Sequence, residues 1–288
     1  MFREDLNQFI EGQLNEMARN VVSKSAGNIA NREFNPFSLF EGDEEKYMAV
    51  GRSLDSQLGT RLQKIAFFCT RYTYGFINVP NVVFIKGNQE RLIVERLSYP
   101  IDKGMTQCLY WGGEASDYLS APCKRRYNDN PEEFEFNSRE FDEEELSELG
   151  IDVDKIREII NGQGGKMPMD LFYIDEESNA HAYEIKAGGN LDTKNKVENR
   201  NEVLRLEKVF SMFGENKAKF DTCYNNRGEG NSPDGAIFGM LDADHKAIGR
   251  YFWEEILPED EVLYEDFIAL YSEAFFNARV REIIANGN

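Results

Sequence analysis

The chain is long enough to bury a large core, and its acidity limits how it can meet nucleic acid. It has 288 residues, of which 41% are hydrophobic and 12% aromatic, and a formal net charge of -19. This composition is too apolar for a disordered protein, and no segment has the run of about eighteen apolar residues that a membrane helix needs. A surface of this charge repels phosphate, which excludes non-specific coating of DNA but allows a local basic cleft.

Few residues are available for metal clusters or disulfides. The four cysteines lie far apart without a C-x-x-C spacing, which indicates neither a zinc ribbon nor a disulfide scaffold. Only two histidines exist, His181 and His245, which nearly excludes a histidine metal cluster or a Ser-His-Asp triad. The N-terminal residues mix charges among apolar positions and lack the apolar block of a signal peptide. We expect a protein of the reducing cytoplasm.

The first half of the chain reads as two helices, two strands and an insertion. Apolar spacing predicts a helix over about 5–22 and another over about 55–71. Residues 82–85 and 92–97 are strand-like and are separated by the turn sequence KGNQE. The segment from about 100 to 164 is then interpreted as an insertion. It includes the stretch Glu132 to Glu148, with nine acidic residues and one basic residue, which we interpret as a solvated surface.

The second half begins with short helices and a β-hairpin. Residues 169–174 are predicted as its first strand, 175–179 as a tight turn, and 181–187 as its second strand. A helix is predicted over about 193–212, a short buried strand over 236–241, and a long amphipathic helix from about 264. The apolar positions of the first of these helices are Val197, Leu204, Leu206, Val209 and Phe210.

We predict one elaborated domain over residues 1–288. No internal repeat is visible, and glycine and proline are not concentrated in a linker. The predicted core spans about 50–98 and 165–245, and the predicted C-terminal helical region spans about 250–288.

Three polar side chains of the hairpin are predicted to converge. Side chains alternate between the two faces of a strand, so Glu184 and Lys186 share one face. Antiparallel pairing about a turn near residues 177 and 178 places Asp170 roughly opposite them. Two carboxylates with room for water suit Mg²⁺, and a lysine beside the metal can orient or deprotonate the attacking water. The alternative is an ordinary ion pair on a solvated surface.

These residues resemble the active-site motif of the PD-(D/E)XK nucleases. The chain has PMD, thirteen further residues, and then EIK, with Met169 standing between Pro168 and Asp170 as a departure from the family's pattern. The segment SLDSQLGTRLQ resembles the first core helix of type II restriction endonucleases, although Gln63 stands where glutamate is usual. Together NPFSLF, SLDSQLG and EIKAGGNLDTKN are similar to the TdeIII-like subgroup of these enzymes.

The resemblance implies a fold, an activity and a set of roles. The fold class is α/β (α+β), a restriction-endonuclease-like core in which a mixed β-sheet is flanked by helices, with a large insertion and helical N- and C-terminal additions. The activity is Mg²⁺-dependent hydrolysis of phosphodiester bonds in double-stranded DNA, leaving 5′-phosphate and 3′-hydroxyl ends. Asp170 and Glu184 would ligate the metal with the Ile185 carbonyl, Lys186 would act on the water, and Gln63 would support the site. Cutting both strands of a symmetric site calls for a two-fold homodimer.

A locally basic stretch follows the hairpin. From Lys186 to Arg200 there are four basic and two acidic residues, so this is where the chain would tolerate a phosphate backbone. The candidate DNA contacts are Asn190, Lys194, Asn195, Lys196 and Arg200. A solvated helix start is the alternative for this stretch, and the cluster from Lys124 to Arg126 is a second candidate.

Two other functions remain compatible with the sequence. One is another PD-(D/E)XK nuclease, acting in DNA repair or junction resolution. The other is a non-enzymatic acidic interaction protein or DNA mimic, in which the three polar residues form a surface ion pair; the charge of -19 favours this alternative.

Overall fold

The computed structural model describes residues 2–30, 44–100, 107–114, 119–186, 196–210, 219–222 and 246–277. The chain divides into two compact units, which we call the helical unit (Met1–Cys69 with Trp253–Asn288) and the sheet unit (Thr70–Phe252). The single domain expected from the sequence stays a prediction. Among the described residues, no helix combines the length and the apolar character needed to cross a membrane.

The elements are numbered in chain order. The α-helices are α1 (Phe2–Ala30), α2 (Glu44–Tyr74), α3 (Ala121–Asp129), α4 (Glu143–Glu148), α5 (Val153–Gly162), α6 (Lys196–Phe210), α7 (Arg250–Ile256) and α8 (Tyr264–Asn277). The β-strands are β1 (Val82–Asn88), β2 (Arg91–Ser98), β3 (Gln107–Trp111), β4 (Glu135–Asp142), β5 (Lys166–Met169), β6 (Leu171–Ile174), β7 (Ala180–Lys186), β8 (Lys219–Thr222) and β9 (Lys246–Ile248).

In the helical unit, α1 packs against α8 and contacts α2 through polar side chains. The predicted apolar stripe of α1 is buried along its length, including Leu6, Ile10 and Leu14. The guanidinium of Arg61 on α2 is almost fully buried and donates to Glu16 at 2.8 Å and to Gln13 at 3.1 Å on α1. A buried charge needs such partners to offset the loss of hydration.

The first sheet of the sheet unit has five strands in the order β4-β2-β1-β3-β5. The pair β1 and β2 is the hairpin that the sequence predicts, with Ile85 opposite Val94. The strand β3 runs parallel to β1, so the sheet is mixed. Helices cover both faces, because Val83 and Ile85 pack with residues of α5 while Val82 and Phe84 pack with Cys123 of α3. The predicted fold class is thereby confirmed.

The segment interpreted as an insertion contributes to this sheet. It supplies β3, which pairs with both β1 and β5, and β4, which pairs with β2 along its whole length. It also supplies α5, which begins where the Asp152 side chain accepts from the Lys155 N–H at 3.0 Å. The interpretation of this segment as an insertion into the core of the fold stays a prediction.

The second sheet has the order β6-β7-β8-β9, and β6 and β7 form the predicted hairpin. Its register pairs Ile174 with Ala180 and Leu171 with Tyr183, which centres the turn on residue 177. The strands β8 and β9 extend the sheet in parallel with β7. Sequence patterning missed both strands and also α7. The predicted strand over 236–241 lies outside the described residues.

The predicted first strand of the hairpin is broken at Asp170, which corrects the expectation of one continuous strand over 169–174. The strand β5 belongs to the first sheet and β6 to the second, so the chain changes sheets at this residue. The buried side chain of Gln107 joins the two sheets here. It accepts from the Phe172 N–H at 2.7 Å and donates to the carbonyls of Phe172 at 2.7 Å and Pro80 at 2.6 Å.

Candidate active site

Asp170 is held at the break between the two sheets, beside the second strand of the hairpin. Its Oδ2 accepts a hydrogen bond from the Ile185 N–H at 2.8 Å. The bond fixes the carboxylate next to the backbone between Glu184 and Lys186. The structure therefore brings together the three side chains that the sequence predicts to converge.

Glu184 and Lys186 share one face of β7, and the Lys186 ammonium contacts Glu184 Oε1. Glu184 is only 7% exposed, whereas the side chain of Lys186 is 26% exposed. A carboxylate this deeply buried needs a cation beside it. The burial argues against an ordinary ion pair on a solvated surface.

Crowding of negative charge alters the acidity of Asp170. Burial, followed by the charge of Glu184, raises the pKa of Asp170 to about 7. Lys186 and the hydrogen bond from Ile185 act in the opposite direction but do not offset the rise. Without a bound cation, the site therefore favours a proton on one carboxylate near neutral pH.

Lys186 is held in its charged form. Burial alone would lower the pKa of its ammonium, but the charges of Glu184 and Asp170 raise it above the ordinary value. A protonated lysine is a hydrogen-bond donor and not a proton acceptor. Its chemistry at this site is therefore to orient an oxygen atom or to stabilise negative charge.

Glu202 on α6 is a neighbour of the site that sequence reasoning missed. Burial and then the charge of Glu184 raise the pKa of Glu202, while Lys186 lowers it. The predicted apolar face of this helix was wrong at Val197, which is 51% exposed, whereas Val203 is fully buried. The signal that would locate Glu202 is the spacing of Val203, Leu206 and Phe210, which places it beside the buried face.

The turn that carries the hairpin is built around Asp175. Its Oδ1 accepts from the backbone N–H groups of Glu177 at 3.0 Å and Asn179 at 2.8 Å, and its Oδ2 lies 2.9 Å from His181 Nε2. Partial burial would raise the pKa of Asp175, but the hydrogen bonds from His181 and Asn179 hold it below its ordinary value. His181 thus belongs to the turn, where its ring also stacks on Tyr173.

The remaining predicted residues are placed only in part. Gln63 is a partly buried residue of α2 in the helical unit, and its supporting role stays a prediction. The side chain of Ile185 is buried, and ligation by its carbonyl also stays a prediction.

The candidate DNA contacts fall largely on undescribed parts of the chain. Asn190, Lys194 and Asn195 lie outside the described residues, and Lys196 is described only as the first residue of α6. Arg200 is a partly buried residue of the same helix. In the second basic cluster, Lys124 and Arg125 are exposed, but Arg126 pairs with Glu133.

The donor atoms at this site fit a hard divalent cation. Asp170 and Glu184 offer oxygen only, and their mutual repulsion is what a cation would relieve. Mg²⁺ is commonly held by one or two carboxylates and keeps several water molecules. Within the described ranges, no three His, Cys, Asp or Glu side chains are grouped closely enough to hold a metal ion.

Comparison with models of protein families gives a match in the second half of the chain. The family model of the type II restriction endonuclease HinfI matches residues 137–274. This range includes most of β4, both strands of the hairpin, and Asp170, Glu184 and Lys186. The resemblance to PD-(D/E)XK type II restriction endonucleases is thus confirmed, and the narrower similarity to the TdeIII-like subgroup stays a prediction. Searches of curated proteins and of solved structures found no match.

Proposed function

We propose, from the match of residues 137–274 to the HinfI family of type II restriction endonucleases, that this protein cleaves double-stranded DNA at specific sites. The reaction is Mg²⁺-dependent hydrolysis of phosphodiester bonds, giving 5′-phosphate and 3′-hydroxyl ends. The observation that carries the proposal is the convergence of Asp170, Glu184 and Lys186 where the chain changes sheets.

The two carboxylates are the proposed metal ligands. The Ile185 N–H of β7 holds the Asp170 carboxylate in place. Glu184 also belongs to β7, and its side chain lies on the same face of that strand as Lys186. The Ile185 carbonyl is the proposed third protein ligand. When bound, Mg²⁺ would supply Lewis acidity and a water of lowered pKa. The raised pKa of Asp170 means that a proton leaves this carboxyl when it takes up a cation near neutral pH.

Lys186 is proposed to act on the phosphate and the attacking water. Its raised pKa keeps the ammonium charged, so it donates hydrogen bonds to these groups. The sequence left open whether Lys186 orients the attacking water or removes a proton from it. A charged ammonium favours the first role, in which Lys186 orients the water and stabilises negative charge. Stabilising charge that develops in the transition state is a common source of rate enhancement in buried sites.

The DNA-binding surface is proposed to begin at the candidate site and continue along α6. Arg200 lies on that helix, and Asn190, Lys194, Asn195 and Lys196 precede or begin it. Two copies of the chain, related by a two-fold axis, are proposed to place one site on each strand. Because a restriction enzyme meets its DNA inside the cell, the proposed function also favours a location in the cytoplasm.

The acidic DNA mimic is the less favoured alternative. A mimic presents carboxylates to solvent, whereas Glu184 is buried and Asp170 is held by a backbone N–H group. The net charge of -19 remains compatible with both functions, because a metal and a local basic surface can still bring phosphate to an acidic protein.

Digestion of an unmethylated plasmid with Mg²⁺ tests the proposal. We expect discrete fragments whose ends share one sequence and carry a 5′-phosphate, and the matched protein with Asp170→Asn should give none. Cleavage confined to branched or damaged DNA would instead identify a repair or junction-resolving nuclease. An absence of cleavage in every DNA, with tight binding to a DNA-binding protein, would identify the mimic.

Metal exchange supplies a second prediction. With Ca²⁺ in place of Mg²⁺ we expect specific DNA binding to persist while cleavage stops, because Ca²⁺ accepts the same oxygen ligands with looser geometry and activates water less well. Gel-shift and cleavage assays on one DNA fragment check the two effects. Cleavage that continues in EDTA would overturn the metal-dependent mechanism.

A further inference from the structure

The contact between Lys186 and Glu184 poses a problem for the proposed function. In this structure the ammonium lies on Glu184 Oε1, the carboxylate that the proposed function assigns to Mg²⁺. A divalent cation bound to Glu184 would repel an ammonium that contacts the same carboxylate. Lys186 must therefore leave Glu184 when the cation binds, and it must still remain beside the phosphate.

The helix α6 covers the face of β7 from which both side chains project. Val203 and Leu206 of α6 pack in the same buried cluster as Ala180 and Ala182 of β7. Because side chains alternate along a strand, Ala182, Glu184 and Lys186 lie on that same face. Glu202, next to Val203 and itself partly buried, is thereby brought to the edge of the site.

The charge of Glu202 acts on Lys186. The carboxylate lies within electrostatic range of both Lys186 and Glu184. Among the residues that the structure describes, none forms a hydrogen bond or an ion pair with the Glu202 carboxylate. The nearby Arg205 is instead paired with Glu198. Besides the two proposed metal ligands, a third acidic group is thus within electrostatic range of Lys186.

Direct ligation by Glu202 is not supported. In the described parts of the chain, no three acidic, His or Cys side chains are close enough to share a metal ion. Asp170 and Glu184 are joined through the backbone of β7, whereas Glu202 belongs to a different element. Its charge acts on Lys186 and also on Glu184 and Asp170.

We propose that Glu202 is a positioning residue that draws the Lys186 ammonium away from Glu184 when a divalent cation binds, and holds it beside the reacting phosphate. The inference rests on the proposed function and adds a residue that it does not contain. Glu202 itself touches neither the metal nor the DNA in this scheme. Without it, Lys186 would stay on Glu184 and compete with the cation.

Calorimetric titration of the DNA-free protein with Ca²⁺ tests this competition without any cleavage. We expect Glu202→Gln to weaken Ca²⁺ binding by about tenfold. The same substitution in a Lys186→Ala background removes only the attraction between Glu202 and the cation. Its effect there should be smaller by about fivefold, which is the coupling expected for two interacting residues.

Glu176→Gln is the matched control, since it makes the same chemical change at an exposed position in the turn of the same hairpin. It should leave Ca²⁺ affinity within about twofold of the wild type. Equal weakening by Glu202→Gln in both backgrounds, or no weakening in either, would overturn the positioning role while leaving the proposed nuclease function intact. A wild-type protein that binds no Ca²⁺ without DNA would also overturn the positioning role, because no competition between Lys186 and the cation would then exist; plasmid digestion tests the nuclease function separately.

Discussion

Asp170 is a proposed metal ligand whose position is set by the change from one sheet to the other. It lies where the chain changes sheets, and a backbone N–H from the neighbouring strand fixes its carboxylate. Its position opposite Glu184 follows from the alternation of strand residues and the centre of the turn, which the sequence supplies. The strand break does not follow from the sequence, because Met169 and Leu171 on either side are both apolar and suit a continuous strand.

The raised pKa of Asp170 predicts a stability that depends on pH. An acid whose pKa rises on folding binds its proton more tightly in the folded protein, so the free energy of unfolding falls as the pH rises from 3.8 to about 7. Asp170→Asn removes this penalty and can still accept from Ile185. We expect it to stabilise the metal-free protein by about 1–3 kcal/mol at pH 8 and by less at pH 5.

Urea unfolding in EDTA at the two pH values measures this difference. The exposed Glu176→Gln serves as the control, with an expected change within about 0.5 kcal/mol at both pH values. A lower free energy of unfolding for Asp170→Asn than for the wild type at pH 8 would contradict this prediction, because it would show that the charged carboxylate stabilises the fold.

The sequence predicts the hairpin better than it predicts the placement of β3 or the buried face of α6. Polar and apolar residues alternate on β7, and Asp175 and Asn179 mark the turn, so local patterns suffice. The placement of β3 beside β1 depends on pairing between distant segments. Glu202 was missed because Val197, which is exposed, was included in the predicted apolar face of α6, whereas the buried Val203 was not. Burial against β7, which decides the face, is a tertiary effect.

Gln107 should be required for the junction between the two sheets. Gln107→Met keeps the approximate shape but leaves the Phe172 N–H and two carbonyls without their buried partner. We expect a loss of about 2–4 kcal/mol in the free energy of unfolding, measured by urea denaturation. Gln163→Met, the same change at an exposed position after α5, should cost little. Equal stability of the two variants would mean that the junction does not depend on these hydrogen bonds.

At the scale of the whole molecule, an acidic protein has to hold a polyanion. The proposal confines DNA contact to the metal site and the basic stretch that ends at Arg200, with the remainder of the surface repelling phosphate. Sequence reasoning predicts the need for such a local surface from the charge alone. It does not give the order of the strands in the sheets or the division of the chain into two units.

Salt dependence tests the basic stretch. Lys194→Ala or Lys196→Ala should weaken binding to all sequences and lower the slope of log affinity against log salt by about one for each phosphate that the protein no longer neutralises. Asn190→Ala or Asn195→Ala should instead change the discrimination between sites, if either side chain reaches a base edge. Unchanged affinity and salt slope in both lysine variants would show that this stretch does not contact DNA. The exposed Lys124 and Arg125 of α3 would then be the next candidates.

The most direct test of the central claim is the cleavage rate of one specific DNA fragment in Mg²⁺ by the wild type and three variants. Asp170→Asn, Glu184→Gln and Lys186→Ala should each lower the rate constant by about 10³-fold or more while the protein remains folded, because each removes a group needed in the transition state. Cleavage at a rate near that of the wild type by any one of the three would contradict the assignment of the active site.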